Sequence, residues 1–124
     1  MITYVGNATT SQGYETTGLD YIDDKIVMLQ IGDKDRQFVI DVRCTDITPL
    51  KDIFKAESIT KILHNAKFDC LFLKSQFGLD LRYVHDTMLT ERVLKCGKKI
   101  KYSLKALISS YFNIELDKNI RTTF

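Results

Sequence analysis

The sequence predicts an α/β fold in which antiparallel strands come first and alternating helices and strands follow, with the helices packed on one mixed sheet. The chain has 124 residues, of which 44% are hydrophobic and 27% are charged, as is usual for a globular domain. Two apolar runs, at residues 25–31 and 37–42, flank a cluster of turn residues and predict paired strands. From Thr48 onward apolar residues recur at helical spacing. We therefore predict a single domain spanning residues 1–124.

The first half of the chain is predicted to be an antiparallel meander. The run at residues 25–31 is almost continuously apolar, which is typical of a strand covered on both faces. Residues 32–36 have turn chemistry, and residues 37–42 return as the next strand. An earlier strand is expected to end near Glu15, and a loop over residues 16–24 leads from it to the apolar run.

The second half is predicted to alternate between helices and strands. Pro49 suits the first turn of a helix, where its missing N–H costs no hydrogen bond. Gly78 predicts the end of a longer helix that begins at Ala66, and Gly97 separates the last two helices. The elements expected after the Pro49 helix are strands at residues 59–63 and 81–85 and helices at residues 66–77, 87–94 and 103–112.

Composition excludes several classes of protein. No apolar run approaches the roughly 18–20 residues of a membrane span, and the first residues lack the layout of a secretion signal, so we expect a cytoplasmic protein without a membrane partner. The 3 cysteines form no C-x-x-C pair, which excludes a zinc ribbon and argues against a disulfide framework. With only 2 histidines, a three-histidine metal site is impossible. Any metal must be a hard cation that carboxylates bind.

Charge is distributed unevenly behind the formal net charge of +2. Residues 1–50 carry eight acidic and four basic residues, a net charge of −4, so the remainder of the chain carries +6. Five lysines of the second half fall close together: Lys95, Lys98, Lys99, Lys101 and Lys105. A basic patch beside an acidic region suits an enzyme that uses metal ions on a phosphate polymer. A solvated lysine face without a ligand is the alternative interpretation.

The segment from Glu15 to Asp20, Glu-Thr-Thr-Gly-Leu-Asp, is the first of two candidate sites. Glu15 is expected at the end of a strand, and Gly18 allows the chain to turn sharply close to a ligand. An acid in front of a turn is also common as a simple strand end. Both interpretations stay open on this segment alone.

The segment from Asn65 to Asp69, Asn-Ala-Lys-Phe-Asp, is the second candidate site. Positions four apart on a helix share a face, so Asn65 and Asp69 are expected to point the same way. Asp69 is flanked by apolar residues, where a carboxylate needs a partner or a metal because desolvating an unpaired charge is costly. The structural alternative makes Asn65 the N-cap of the helix and Asp69 a favourable charge in its first turn.

Five blocks in a fixed order carry a resemblance to a known family. They are E-T-T-G-L-D, a buried strand pair, H-N-A-K-F-D, V-H-D-T-M-L, and S-L-K-x-L with an I-E-L-D-K ending. From about Gly13 onward the sequence resembles the DEDD (DnaQ-like) 3′–5′ exonuclease superfamily, and most of all the proofreading domain of family A DNA polymerases. The resemblance implies an RNase H-like fold and hydrolysis of phosphodiesters at the 3′ end of single-stranded DNA by two divalent metals, Mg²⁺ or Mn²⁺.

The resemblance also implies roles for individual residues. Glu15 and Asp69 correspond to catalytic carboxylates that bind the metals. The residues that correspond to contacts with the 3′-terminal nucleotide are Thr16, Thr17, Leu19 and Asn65. His85 and Asp86 match a pair near the site, although a helix N-cap is the alternative for Asp86. The side chains expected to face the backbone of the strand are Lys98, Lys99, Lys101 and Lys105.

The first motif departs from the family pattern. The family has D-x-E, but Gly13 stands two residues before Glu15, and residues 1–14 contain no acid. Either Gly13 replaces the aspartate, or a short deletion joins Gly13 and Tyr14 directly to Glu15. Asp20 is a poor substitute because it lies five residues further along, past the turn. One carboxylate of the expected site is therefore missing from this motif.

The third motif, Tyr or His followed four positions on by Asp, is also missing after Asp69. The nearest match is Tyr111-x-x-x-Glu115, which has the wrong acid. We therefore predict a truncated 3′–5′ exonuclease-like domain whose activity is impaired, with a polymerase domain as a partner in a longer parent chain. The alternatives are a non-catalytic remnant that binds nucleic acid, a fragment of a larger DNA polymerase, and an α/β module with no nucleic-acid role.

Overall fold

The fold is taken from a computed structural model that describes residues 20 and 22–115 in full and the backbone of residues 2–8. The strands are β1 (Ile2–Ala8), β2 (Met28–Gly32), β3 (Gln37–Asp41), β4 (Thr60–Leu63) and β5 (Val84–Asp86). The helices are α1 (Lys51–Lys55), α2 (Ala66–Phe77), α3 (Thr87–Leu94) and α4 (Leu104–Phe112). A short 3₁₀ turn, Thr48–Leu50, contains Pro49 and leads into α1.

The strands form one mixed sheet in the order β3-β2-β1-β4-β5. β1 pairs antiparallel with β2, and β2 pairs antiparallel with β3. β4 pairs parallel with β1 on its other side, and β5 pairs parallel with β4. The predicted order of antiparallel strands first and alternating helices and strands later is confirmed.

The first strand lies earlier in the sequence than expected. The strand that pairs with β2 is Ile2–Ala8, in a register that places Val5 opposite Ile31 and Asn7 opposite Leu29. Glu15 lies outside the described residues, so its position at a strand end stays a prediction. β1 pairs with a strand on each side, so tertiary contacts determine that these residues form a strand. The local pattern of residues 2–8 does not reveal such contacts.

Two further details differ from the expectation. β5 begins at Val84 rather than at residue 81, because Tyr83 has a φ of 56°, a left-handed conformation that no strand residue adopts. The strand β2 is not covered on both faces, since Gln30 is exposed between the buried Leu29 and Ile31. The outer side of the hairpin is therefore open to solvent at this position.

One face of the sheet forms the hydrophobic core with α1 and α2. Leu29, Ile31 and Leu63 from the strands pack with Phe54 of α1 and Phe72 of α2, and all five side chains are buried. Residues outside these elements complete the same cluster: Ile26, Ile47 and Leu79. The predicted packing of helices on the sheet is confirmed, and this core fixes the position of α2 against β4.

A buried lysine ties β4 to the end of α1. Lys61 is fully buried, and its Nζ donates a hydrogen bond to the carbonyl oxygen of Ala56, at 2.7 Å, just after the last turn of α1. Its ammonium also lies 5.8 Å from the centre of the Tyr83 ring, within cation–π range. Burial lowers the pKa of the Lys61 ammonium. The contact holds a cationic group inside the sheet-helix layer.

The core predicts a large difference between two phenylalanine substitutions. Phe54→Ala should lower the free energy of unfolding by about 3–5 kcal/mol, because the side chain has no solvent exposure and its removal leaves a cavity. Phe112→Ala is the matched control, since that ring is 69% exposed and should cost less than about 1 kcal/mol. Urea denaturation measures both values. Equal losses in the two variants would contradict the assigned core.

Candidate functional site

The amino end of α2 lies at the edge of the sheet where the parallel strands end. β1, β4 and β5 run parallel to one another, so their carboxyl ends share this edge. His64 and Asn65 connect the end of β4 to α2, and Asp69 occupies the first turn of that helix. In open α/β sheets ligands bind outside the carboxyl ends of the strands. The structure therefore places Asn65 and Asp69 at the edge most suited to a site.

The carboxylate of Asp86 caps two helices at this edge. Its Oδ1 accepts hydrogen bonds from the backbone N–H groups of Met88, at 2.9 Å, and Leu89, at 3.4 Å, at the start of α3. The same atom accepts the N–H of Asn65 at 3.1 Å, and Oδ2 accepts the N–H of Ala66 at 2.8 Å, both at the start of α2. The N-cap role of Asp86 is thus confirmed for α3, and a second helix is capped as well.

The hydrogen bonds keep Asp86 ionised. Burial alone raises the pKa of this carboxyl, but the four backbone N–H groups together outweigh burial and lower the pKa below its ordinary value. The N-termini of two helices also place positive partial charge around the carboxylate. Asp86 is therefore a charged structural link between α2 and α3.

Asn65 does not cap α2 with its side chain. It adopts a left-handed conformation, with φ 62° and ψ 55°, and its side chain makes no capping hydrogen bond. Asparagine tolerates this conformation better than most residues. Helical geometry begins only at Ala66, so the shared helix face expected for Asn65 and Asp69 is not formed. Asn65 is exposed, whereas Asp69 is only 7% exposed.

Asp69 is a buried carboxylate beside a half-buried thiol. Burial raises the pKa of Cys70, and the charges of Asp69 and Asp86 raise it further, so this thiol is unreactive near neutral pH. The position in the first turn of α2 favours the negative charge of Asp69. Four predicted site residues lie outside the described residues: Glu15, Thr16, Thr17 and Leu19. Their convergence with Asp69 stays a prediction.

The two histidines belong to neighbouring strands, since His64 directly follows β4 and His85 lies within β5. The Oγ1 of Thr87 donates to the carbonyl of Leu63, at 3.1 Å, and lies 2.9 Å from Nδ1 of His64. Since the hydroxyl has one hydrogen, Nδ1 of His64 must be the donor in the second contact. His85 is exposed, and its Nε2 lies 3.2 Å from Oγ1 of Thr90. The contact between His64 and Thr87 was not predicted from the sequence. The signal that the sequence offered is the position of Thr87 directly after Asp86, an acid at the end of a strand.

Two of the residues considered as substitutes for the missing motifs, Tyr111 and Asp20, make structural contacts. Tyr111 donates a hydrogen bond to Oε2 of Glu91 at 2.8 Å and thereby joins α4 to α3. Glu115 is exposed beyond the end of α4. Asp20 is exposed, and its Oδ1 accepts the N–H of Ile22 at 2.9 Å in a local turn. These contacts account for Tyr111 and Asp20 without a catalytic role.

The lysines expected along a nucleic-acid backbone lie on α4 and in the connection before it. Lys98, Lys99 and Lys101 are exposed in the connection, and Lys105 is half-buried on α4. Lys98 and Lys101 line a groove of about 400 Å³ between α3 and α4, whereas Lys99 and Lys105 do not. The structure therefore divides the predicted lysine patch into two groups.

The described residues do not by themselves form a metal site. No three His, Cys, Asp or Glu side chains come together as potential ligands within this part of the chain. The oxygen donors of Asp69 are of the kind that Mg²⁺ uses, often with one or two carboxylates and substrate phosphates. A complete metal site would need at least one ligand from outside the described residues.

In the part of the chain that the structure describes, none of the helices has the length and the apolar composition of a membrane span.

Comparisons with known proteins point to one enzyme family. The 3′–5′ exonuclease family matches residues 11–123. DNA polymerase I of Aquifex aeolicus (strain VF5) is 32% identical over 110 residues, which cover 88% of this chain and 17% of that protein. Among solved structures, this chain is similar to Escherichia coli RNase D, an exoribonuclease involved in structured RNA processing. The superposition has a TM-score of 0.77 at 24% identity and covers 95% of this chain and 29% of RNase D.

A further solved structure is that of Brucella melitensis NrnC with bound Mg²⁺. It superposes with a TM-score of 0.78 at 20% identity, over 98% of this chain and 58% of that one. The likeness to these nucleases confirms the predicted RNase H-like fold. The chain spans only 10% to 24% of the lengths of the curated relatives that it matches.

The double cap predicts a measurable effect of Asp86→Asn. An amide has one oxygen, so its NH₂ group must face one of the helix N–H groups, and the free energy of unfolding should fall by about 1–2 kcal/mol at pH 7. In the native protein the pKa of Asp86 lies below its unfolded value, so its stabilising contribution is present above about pH 4 and is lost as the pH falls through the native pKa. The free energy of unfolding of Asp86→Asn should therefore decrease less steeply than that of the wild type as the pH falls.

Chemical denaturation at a series of pH values measures this effect. Asp35→Asn is the matched control, because Asp35 is an exposed turn residue and its substitution should leave the acid dependence unchanged. Wild-type stability and a wild-type acid slope in Asp86→Asn would contradict the double cap.

Proposed function

This chain belongs to the 3′–5′ exonuclease family, and we propose that it derives from a domain that hydrolyses phosphodiesters at the 3′ end of single-stranded DNA. The observation that carries the proposal is the placement of Asp69, a buried carboxylate at the carboxyl edge of the parallel strands. A DNA substrate is favoured because the polymerase relative is 32% identical over 110 residues, whereas RNase D is 29% identical over 93 residues.

The metal site proposed here consists of Glu15 and Asp69 with Mg²⁺ or Mn²⁺. When bound, two such cations would activate the attacking water and stabilise the charge on the leaving 3′ oxygen. The buried position of Asp69 supports this assignment, since a carboxylate held in a helix of apolar residues is well fixed and only partly hydrated. The NrnC structure with Mg²⁺ is consistent with a metal at this fold.

Substrate contacts in this proposal come from residues around the same edge. Asn65 is exposed where α2 begins, so its amide can donate and accept hydrogen bonds with the terminal sugar or base. The other proposed contacts with the terminal nucleotide are Thr16, Thr17 and Leu19. The cap by Asp86 would hold the backbone of Asn65 in place during binding.

The activity of this chain is proposed to be impaired. Gly13 stands where the first motif of the family has an aspartate, and the third motif is missing after Asp69. Metal stabilisation contributes several kcal/mol, and each 1.36 kcal/mol changes a rate about tenfold, so the losses should cost at least about a hundredfold. Residues 1–124 then belong to one exonuclease-like domain, which in a longer parent chain would accompany a polymerase domain. We also propose a cytoplasmic location, where unpaired cysteines such as Cys44, Cys70 and Cys96 are usual.

A gain-of-function experiment tests the proposal. The chain is compared with a restored form that carries Gly13→Asp and a C-terminal extension containing Tyr-x-x-x-Asp, on a labelled single strand with Mg²⁺ or Mn²⁺. The restored form should shorten the strand from its 3′ end at least about a hundredfold faster than the unmodified chain. Asp69→Asn in the restored form should abolish the gain, whereas Asp80→Asn, a surface carboxylate paired with Lys74, should retain it.

A second candidate function is a non-catalytic module that binds single-stranded ends. The observation that favours it is the group of three exposed lysines, Lys98, Lys99 and Lys101, in the connection before α4. Salt-sensitive binding by both forms without shortening would support this module and would reject the exonuclease. Shortening that Asp69→Asn leaves intact would reject the assigned metal site.

A further inference from the structure

The groove between α3 and α4 combines a cationic rim with an apolar floor. Lys95, Lys98 and Lys101 contribute the rim, and Ile100 and Leu107 contribute the floor. Its volume of about 400 Å³ falls in the range of pockets that hold small organic groups. A ligand with a negative charge on one side and an apolar surface on the other matches this arrangement.

The one carboxylate in the groove is already compensated. Glu91 has a side chain that is 8% exposed, its Oε2 accepts the hydroxyl of Tyr111, and its Oε1 lies 3.9 Å from Nζ of Lys95. Among the described residues, neither Lys98 nor Lys101 has a carboxylate within ion-pair distance. The field at the mouth of the groove is therefore set by two exposed ammonium groups.

The lysine-bearing connection is held in a defined conformation. Tyr102 is buried, its hydroxyl donates to the carbonyl of Lys98, and its ring lies 4.6 Å from the guanidinium of Arg92. Gly97 adopts a left-handed φ of 69°, and its N–H bonds to the carbonyl of Arg92 at 2.8 Å as α3 ends. The rim is thus preorganised, which reduces the entropy cost of binding an anion.

We propose that this α3–α4 groove binds the phosphate backbone of a single strand, with Lys98 and Lys101 as the contacts. This proposal rests on the proposed function, which puts the 3′ end of the strand at Asp69. α3 has 8 residues and rises about 12 Å between the Asp86 cap and the groove, a distance that a few nucleotides of a single strand can span. The apolar floor would contact the sugars or bases of the strand. An acidic polypeptide has no comparable regular array of apolar surfaces beside its charges.

Salt dependence of binding tests the groove directly. The full chain, with EDTA to prevent metal-dependent hydrolysis, is titrated with a fluorescein-labelled octathymidylate between about 50 and 200 mM salt. In the double variant Lys98→Gln/Lys101→Gln, the slope of log K against log salt should decrease in magnitude by about 1.4, since each contact to a single strand contributes about 0.7. The control Lys25→Gln/Lys34→Gln has the same net charge and alters two exposed lysines outside the groove, so its slope should remain that of the wild type.

A second pair of variants separates charge from loss of structure. Lys98→Arg/Lys101→Arg keeps both charges and should retain the wild-type slope. An unchanged slope in Lys98→Gln/Lys101→Gln would overturn the proposal, as would an equal decrease in Lys25→Gln/Lys34→Gln. If polyglutamate displaces the strand as well as unlabelled DNA does, the groove is a site for acidic proteins and the proposal is also overturned.

The outcome is distinguishable from a failure of the proposed function. A reduced slope in the Lys98→Gln/Lys101→Gln variant, together with no shortening by the Gly13→Asp restored form, would leave the groove as a backbone site and reject the exonuclease. Shortening by the restored form with unchanged slopes would support the exonuclease and reject the groove.

Discussion

The geometry of the candidate site depends on the single carboxylate of Asp86. The first N–H groups of a helix have no partner within the helix, and here one side chain accepts such groups from two helices. One of these helices, α2, carries Asp69, and the other, α3, leads to the lysine groove. Because both start from the same anchor, the carboxylate edge and the groove keep a constant separation. A ligand that contacts both the carboxylate edge and the groove would therefore bind to two surfaces with a fixed spacing.

The helices could be predicted from sequence because local signals mark their ends. α2 covers residues 66–77 and α3 covers residues 87–94, as expected. Gly78 follows α2 in the left-handed conformation that ends many helices, and Cys96 and Gly97 both adopt this conformation after α3. These features depend on neighbouring residues alone, so the sequence pattern is sufficient. The order of parallel and antiparallel pairs followed from the same elements.

The site could be predicted only in part, because its details depend on contacts between distant residues. A capping asparagine and a left-handed asparagine look alike in sequence, and the contact that decides between them comes from Asp86, 21 positions away from Asn65. Tyr83 is left-handed although tyrosine rarely is, so the start of β5 was misplaced. The burial of Lys61 could not be predicted from the sequence either, since a lysine in a strand usually faces solvent.

The buried amine of Lys61 gives the protein an internal reporter of its own opening. Acylating reagents modify exposed, deprotonated amines, and Lys61 is protected from them by burial and by its bond to Ala56. The amine can react only in molecules that have opened locally and let solvent and reagent reach it. Acylation of this one position, read by peptide mass mapping, therefore records how often β4 separates from α1. No mutation or attached dye is needed for such a measurement.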